Sequence, residues 1–467
     1  MLVASWEAVR KHLSAHERLV LAWPVARTAR QWLGWLSGMG LEPPLILALY
    51  DGDGEALSLP QDLVHTMYPG QQLPDDGGTF PHYQEVMRAL PARLQAALDR
   101  FDPHRQARVI VPCAAELTAV GGRAVLGPTS AARRLLEDKL RVDALWDQLG
   151  VARLPSTTVP LADAESAHAE LDRGEGTVWA GDNTSGIEAG AVATRHVFDR
   201  TSLRAAMDVL EGRCRKVRVQ PFVNGTPCSI QGIVLDDGTA LTRPCEMLVL
   251  RDPSTGSFAL LGVANTWDPP AAVTEALSEL AHRTGHHLRL QHDWRGGFSV
   301  DAIATVTGEV WPTEINARMT AGLALLDGVL PEPPLELVER VLREGGDIAL
   351  DAPRLQHWIQ STSRHRRFCH ARLNHVRPPE APHKEVRIGD ILDDQSASVT
   401  WSATGSTGRL DITFNPFRTQ PGARIAPRLA SALRIAQASW KLDLPSYVAG
   451  GVGPVGGLSG AGPPRQR

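Results

Sequence analysis

The chain has 467 residues, more than one hydrophobic core ordinarily serves, so two or three domains are expected. With 43% hydrophobic and 21% charged residues it reads as globular, and a formal net charge of -4 gives no global argument for a nucleic-acid partner. No apolar run is long enough to span a bilayer, and the opening MLVASWEAVRKHLSAHERLV lacks the basic-then-apolar order of a secretion signal. The five cysteines, Cys113, Cys214, Cys228, Cys245 and Cys369, are odd in number and lack metal spacing, so a reducing cytoplasm is expected, with no membrane partner. Only five of the 48 basic residues are lysines (Lys11, Lys139, Lys216, Lys384 and Lys441), so a phosphate site has few ammonium groups to choose from.

Along the chain, the apolar runs RLVLAWP (18–24), PLILALY (44–50) and ARVIVPC (107–113) alternate with helical stretches. One of these, YQEVMRALPARLQAALDRF, carries Pro91 as a kink or break. Strands alternating with helices predict a parallel α/β domain over 1–130. TSAARRLLEDKLRVDALWDQLGV then carries helical periodicity, with Thr129 and Ser130 as candidate N-caps. From Val178 the character changes to strands and hairpins: TVWAGDNTSGIEAGAVAT, KVRVQPFV, CSIQGIVLDDGTALTRPCEMLVL and FALLGVANTW. A helix, AAVTEALSELAHRTGHHL, precedes GGFSVDAIATVTGEVWPTEINAR, which reads as two antiparallel strands around a Thr307–Gly308 turn. A mixed segment over 346–447 follows, and the Gly- and Pro-rich residues 448–467 are expected to be disordered.

In the second of those antiparallel strands Glu314, Asn316 and Arg318 recur at alternate positions and so share one face. The hairpin sets Asp301 on the facing strand. Asp301, Glu314 and Asn316 form an all-oxygen set of the kind that suits Mg2+, which completes its shell with water and phosphate. Two carboxylates alone equally describe a solvated strand pair.

These positions resemble the metal site of the ATP-grasp superfamily, a Glu-x-Asn-x-Arg motif preceded by an acidic strand residue, and RGGFSVD (295–301) is similar to that family's approach to its first metal ligand. The resemblance covers roughly residues 130–330. It implies an α/β (α+β) chain with an N-terminal parallel pre-ATP-grasp domain over 1–130. Two grasp subdomains would follow over 131–205 and 206–345, then a C-terminal mixed domain. It also implies ATP and two Mg2+ ions, with Mn2+ as a substitute, held by Asp301, Glu314 and Asn316. Lys139, in LEDKLRVDALWDQLGV, takes the place of a phosphate-binding lysine. Gln220, Phe222 and Val223, in VQPFVNG, match the hinge that receives adenine. Ser185 and Gly186, in GDNTSGIEAG, match the mobile loop over the phosphates. Arg318 and Arg295 are expected to hold a substrate carboxylate or developing oxyanion.

Two departures stand out. The strand entering the glycine-rich loop offers Trp179 or Ala180 where that family has a second lysine, and Arg243, then Arg251, are the candidates to supply the missing charge. After the hinge, Thr226, Pro227 and Cys228 replace the acidic ribose contact. PCSIQG and the Ser-Gly of the loop look most like the peptide ligase of pheganomycin biosynthesis and its relatives. That resemblance implies joining of a small-molecule carboxylate, such as an Nα-amidino amino acid, to the amine of a peptide acceptor, through an acylphosphate. Other readings are a ligase of small carboxylates and amines, or a nucleotide-binding protein without turnover. A homodimer is compatible with either. The densest basic run, STSRHRRFCHARLNHVR (361–377), is a solvated strand or a surface for an acidic or carboxylate-bearing acceptor.

Overall fold

A computed structural model describes residues 2–52, 55–71, 79–129, 132–182, 191–327, 334–376, 386–388, 397–404, 407–415, 419–420 and 422–451. The amino-terminal unit contains α1 (Leu2–Ser14), β1 (Leu19–Val25), α2 (Arg30–Gly38), β2 (Leu45–Tyr50), β3 (Val64–Tyr68), α3 (Thr79–Arg88), α4 (Ala92–Phe101) and β4 (Arg108–Ile110). Its strands form a parallel sheet in the order β3-β2-β1-β4. Pro91 separates α3 from α4 and stands as the N-cap of the latter, where a missing N–H costs nothing. Both faces of the sheet are buried, which is why its strands read as unbroken apolar runs. Val20, Ala22, Leu45 and Leu47 pack under α3 and α4. Leu21, Trp23, Ile46 and Ala48 face the other way, into a core shared with much later helices.

A short hairpin, β5 (Ala119–Val120) and β6 (Arg123–Ala124), and two short helices, α5 (Arg133–Leu136) and α6 (Val142–Gln148), lead to the first lobe of the cavity. That lobe comprises β7 (Thr157–Pro160), α7 (Ala164–Leu171), β8 (Thr177–Gly181), β9 (Thr194–Val197), α8 (Arg200–Leu210) and β10 (Lys216–Pro221). Its antiparallel sheet runs β7-β10-β8-β9. A boundary at 205/206 therefore cuts through this lobe, because α8 and β10 on its far side belong to it. Val217 and Val219 of β10 share one small core with Trp179, Ala206 and Leu210. The chain leaves the lobe only at Phe222–Gly225.

The second lobe holds β11 (Thr226–Val234), β12 (Thr239–Leu241), β13 (Cys245–Arg251), β14 (Phe258–Ala264), α9 (Ala271–His292), β15 (Gly296–Ala304) and β16 (Val310–Asn316). It continues with α10 (Ala321–Asp327), α11 (Leu335–Arg343), α12 (Ala352–His365), β17 (Cys369–Val376), β18 (Val386–Ile388), β19 (Ala397–Thr404), β20 (Thr407–Phe414), α13 (Ala426–Trp440) and β21 (Val448–Ala449). All its strands join one 11-stranded sheet, whose main path is β16-β15-β11-β13-β14-β17-β20-β19-β18.

No break falls at residue 346. The helices α11 and α12 lie on either side of it, yet Leu337, Val338, Val341, Trp358 and Ile359 all bury against the amino-terminal sheet. Gly127 lets that sheet's surroundings meet α11 closely, since a Cβ there would lie 2.8 Å from Arg340 Cα. Buried Arg340 then donates to the carbonyls of Val111 and Leu126. Beyond α12 the chain extends the large sheet, with β17 pairing on β14 and α13 packing Leu429 and Leu433 beneath it. Nor is Val448 the start of a disordered tail: Val448 and Ala449 pair with Arg251 and Leu250, because the edge of β13 leaves backbone groups that need partners. Residues 452–467 lie outside the described residues. Among the described residues no helix is long and apolar enough to cross a membrane.

Candidate active site

A cavity of about 830 Å3 opens between the two lobes. The hairpin of β15 and β16 forms its polar end. Pairing sets Asp301 directly opposite Glu314 and Ser299 opposite Asn316, with a bulge after Asp301. Asp301 accepts hydrogen bonds from Ser229 Oγ at 2.6 Å and Asn316 Nδ2 at 3.1 Å. Lys139 Nζ lies 2.9 Å from Glu314 Oε2 and 3.5 Å from Thr194 Oγ1, at the root of the loop between β8 and β9. Arg318, two residues past the end of β16, donates to Asn316 Oδ1 at 2.9 Å and faces Glu137 at 3.3 Å. The predicted quartet of Asp301, Glu314, Asn316 and Arg318 is thus gathered with Lys139 at one place.

The two carboxyls sit on opposite sides of their ordinary range. Burial, and then the charge of Glu314, push Asp301 up to about 7 against the Ser229 hydrogen bond. Burial works to raise Glu314 as well, but the Lys139 ammonium and hydrogen bonds from Lys139 and Asp301 outweigh it and hold that carboxylate low. Asp301 thus holds a proton more readily than Glu314, whose charge Lys139 balances. This donor set fits a divalent cation. Two carboxyls and an amide oxygen converge, the hard-oxygen donors that would hold such an ion.

The other end of the cavity is aromatic. Gln220, Phe222 and Val223 line it as predicted, and Gln220 Oε1 is buried without a hydrogen-bond partner. The Phe222 N–H is committed to the Gly176 carbonyl at 2.9 Å. Phe222 stacks on His196 at 3.8 Å between centroids, with 17° between planes. Arg251 donates to His196 Nδ1 at 2.6 Å and lies 5.2 Å from the Phe222 ring centre. A guanidinium only donates, so this imidazole is neutral, with its proton on Nε2 and given to the Glu175 carbonyl at 2.7 Å. Burial first, and the nearby Arg251 charge, push His196 down to about 4.

Several expectations need correction. Arg243 is not on the cavity wall; it is paired with Asp268, which also binds Arg367 at 3.1 Å. Arg251, the second choice, lines the cavity. Arg295, one residue before β15, pairs with Asp236 at 2.5 Å and does not line the cavity. Trp179 does not occupy the position of the absent lysine. Its indole is fully buried against α7 and α8 and donates to Thr177 Oγ1 at 2.9 Å, while its neighbours Val178 and Ala180 face the cavity. Alternation along a strand decides this. Ser185 and Gly186 lie outside the described residues. The basic run is no single strip: Arg367 is spent on Asp268, and Arg372, Arg409 and His370 surround Asp411.

Sequence reasoning missed Ser229, Gln231, His196 and Arg434, all of which line or support the cavity. The alternation of Ser229 and Gln231 within the apolar run CSIQGIV was a readable signal. Arg434, on α13, had none, since only the return of the chain beneath β13 brings it there.

No protein-family profile matches the sequence, and no curated protein matches it. Among solved structures, biotin carboxylase from Campylobacter jejuni, determined as a complex with β-γ-ATP, is similar over 89% of this chain and 91% of its own, at 14% identity and a TM-score of 0.55. The biotin carboxylase domain of Hydrogenobacter thermophilus 2-oxoglutarate carboxylase, with MgADP, ADP and bicarbonate, matches over 90% of each chain at 12% identity and a TM-score of 0.53. Carboxyaminoimidazole ribonucleotide synthase from Aspergillus clavatus, complexed with ATP, matches over 90% of this chain and 98% of its own, at 11% identity and a TM-score of 0.52. At such identities the likeness concerns the fold: this chain has the ATP-grasp fold, preceded by a parallel α/β domain.

Proposed function

We propose that this protein is an ATP-dependent carboxylate–amine ligase. The observation that carries the reading is the Asp301–Glu314 pair, capped by Lys139, at one end of a cavity whose other end is a slot lined by Gln220, Phe222 and Val223. Adenine fits that slot, with Gln220 for its amino group and the Val223 backbone for its edge. The triphosphate then runs toward Lys139 and Thr194. Mg2+ held by Asp301, Glu314 and Asn316 supplies charge neutralisation for phosphoryl transfer when bound. The chain's own part is positioning: Lys139 leaves Glu314 for a phosphate, and Arg318, whose planar fork suits a carboxylate, orients the acyl donor. The γ-phosphoryl group passes to the donor carboxylate, giving an acylphosphate and ADP. The acceptor amine adds to the acyl carbon, and the tetrahedral intermediate collapses with loss of inorganic phosphate.

The finer reading is a peptide acceptor and a modified amino-acid donor, in peptide natural-product assembly. It is supported by a further wall of the cavity, formed by Ala430 and Arg434 of α13 and by Tyr447–Gly450, where Val448 pairs with Arg251. Arg434 there is suited to a carboxylate distant from the reacting amine. Nucleotide analysis after turnover tests the class: ADP and phosphate formed only with a carboxylate and an amine present support it. AMP and pyrophosphate, or no turnover with any donor–acceptor pair while ATP still binds, reject it.

A further inference from the structure

Far from the cavity, three metal-binding side chains converge where α1 meets the end of α11. His12 lies in the last turn of α1, and His16 follows four residues later in the turn leading to β1. That spacing brings both imidazoles to the same side of the chain. Glu344 is the C-cap of α11. Its Oε2 lies 3.1 Å from His12 Nε2 and 3.6 Å from His16 Nε2, and the three ligand atoms lie within 4.8 Å of one another. The other oxygen, Oε1, accepts the Gly127 N–H at 3.3 Å, which fixes the carboxylate from behind. All three side chains are largely shielded, at 24%, 17% and 13% exposed.

Packing alone does not account for this arrangement. His16 Nε2 is buried and has no hydrogen-bond partner, although it points toward an oxygen just out of reach. A tetrahedral zinc ion with bonds of about 2.0–2.2 Å separates its ligand atoms by about 3.3–3.5 Å, which the two Glu344 distances bracket. Gly346 leaves room for the His12 ring, since a Cβ there would lie 2.8 Å from Nδ1.

We propose that His12, His16 and Glu344 form a binding site for a divalent transition metal, Zn2+ first, which fastens the amino-terminal helix to α11. Two imidazoles and one carboxylate suit Zn2+, Co2+ or Ni2+ and disfavour Mg2+, so this site and the carboxylates of the cavity select different ions. Water takes the fourth position.

The test uses tag-free, full-length protein stripped with a chelator and titrated with Co2+ alone. One equivalent is expected to produce the visible absorption of four-coordinate cobalt, and Zn2+ is expected to abolish it and to raise the melting temperature. His16→Ala and His12→Gln should lose both effects, whereas Asp301→Asn should keep them, which separates this site from the cavity. A wild-type protein that gives neither the absorption nor the thermal shift overturns the proposal. So does a signal that survives both histidine variants, or one that disappears with Asp301→Asn.

Discussion

The two ends of the cavity meet the same force and answer it differently. At the polar end burial pushes the Asp301 carboxyl up to about 7, and at the aromatic end burial pushes the His196 imidazole down to about 4. In each case the neutral form is favoured because a low-dielectric surrounding penalises charge. The ends differ in what stands beside the group. Beside Asp301 the Glu314 carboxylate favours the protonated form, while Lys139 pairs with Glu314 itself. Arg251 and the Glu175 carbonyl occupy both ring nitrogens of His196, and burial outweighs the pull of that carbonyl toward the charged form. One end gathers two carboxyls and an ammonium, and the other stacks a neutral imidazole on the Phe222 ring.

The strongest challenge to this contrast is Glu314→Gln. Removing one charge and one acceptor oxygen from the polar end should lower turnover about a thousandfold, the upper range for one electrostatic group, while the melting temperature stays near wild type. Steady-state kinetics in Mg2+ checks it, and activity within tenfold of wild type would remove Glu314 from the metal set.

Trp179→Ala should cost about 3–5 kcal/mol of stability, because its fully buried indole anchors the first lobe's core. Denaturant titration reads this directly. A variant of normal stability that had lost ATP affinity would instead return Trp179 to the phosphate site.

His196 sharpens the comparison through pH. Its folded value of about 4 lies below the ordinary 6.5, so the folded state binds fewer protons between those values, and stability present above pH 6.5 is lost as pH falls toward 4. The slope should be roughly 1.4 kcal/mol per pH unit from this group. Comparing urea unfolding of wild type and His196→Gln at pH 7.5 and 5 isolates it; equal pH dependence in the two would show a charged ring. Asp301 has the opposite sign. Cation affinity should rise about tenfold per pH unit up to 7 and then level off, with one proton released, which calorimetry in buffers of different ionisation enthalpy measures.

The smallest effect tests the apolar strand between the ends. Ala180 faces the cavity where an ammonium would help the phosphates, so Ala180→Lys should lower the Michaelis constant for ATP severalfold, about 1 kcal/mol. No change would mean that Lys139 and the loop backbone already satisfy the phosphates.

Period and spacing made part of this molecule legible from sequence alone. The alternate Glu314, Asn316 and Arg318 with Asp301 thirteen residues before were enough to place the polar end, because a strand's period of two and a tight turn are local facts. The parallel amino-terminal sheet was equally readable from unbroken apolar runs separated by helices. What the sequence did not carry was direction and return. Trp179 and Ala180 are neighbours, and only the core formed by α7 and α8 decides which one faces the cavity. Arg243 was ranked before Arg251 until the partner of each was known: Asp268 takes the first off the cavity wall, and the stack of His196 and Phe222 holds the second on it. The boundary expected at 346 failed for the same reason, since α11 and α12 find their apolar partners roughly 300 residues earlier, on β1 and β2. Local geometry was set by the order of residues; which faces met was set by burial of surfaces far apart in the chain, and no short stretch of sequence contains both.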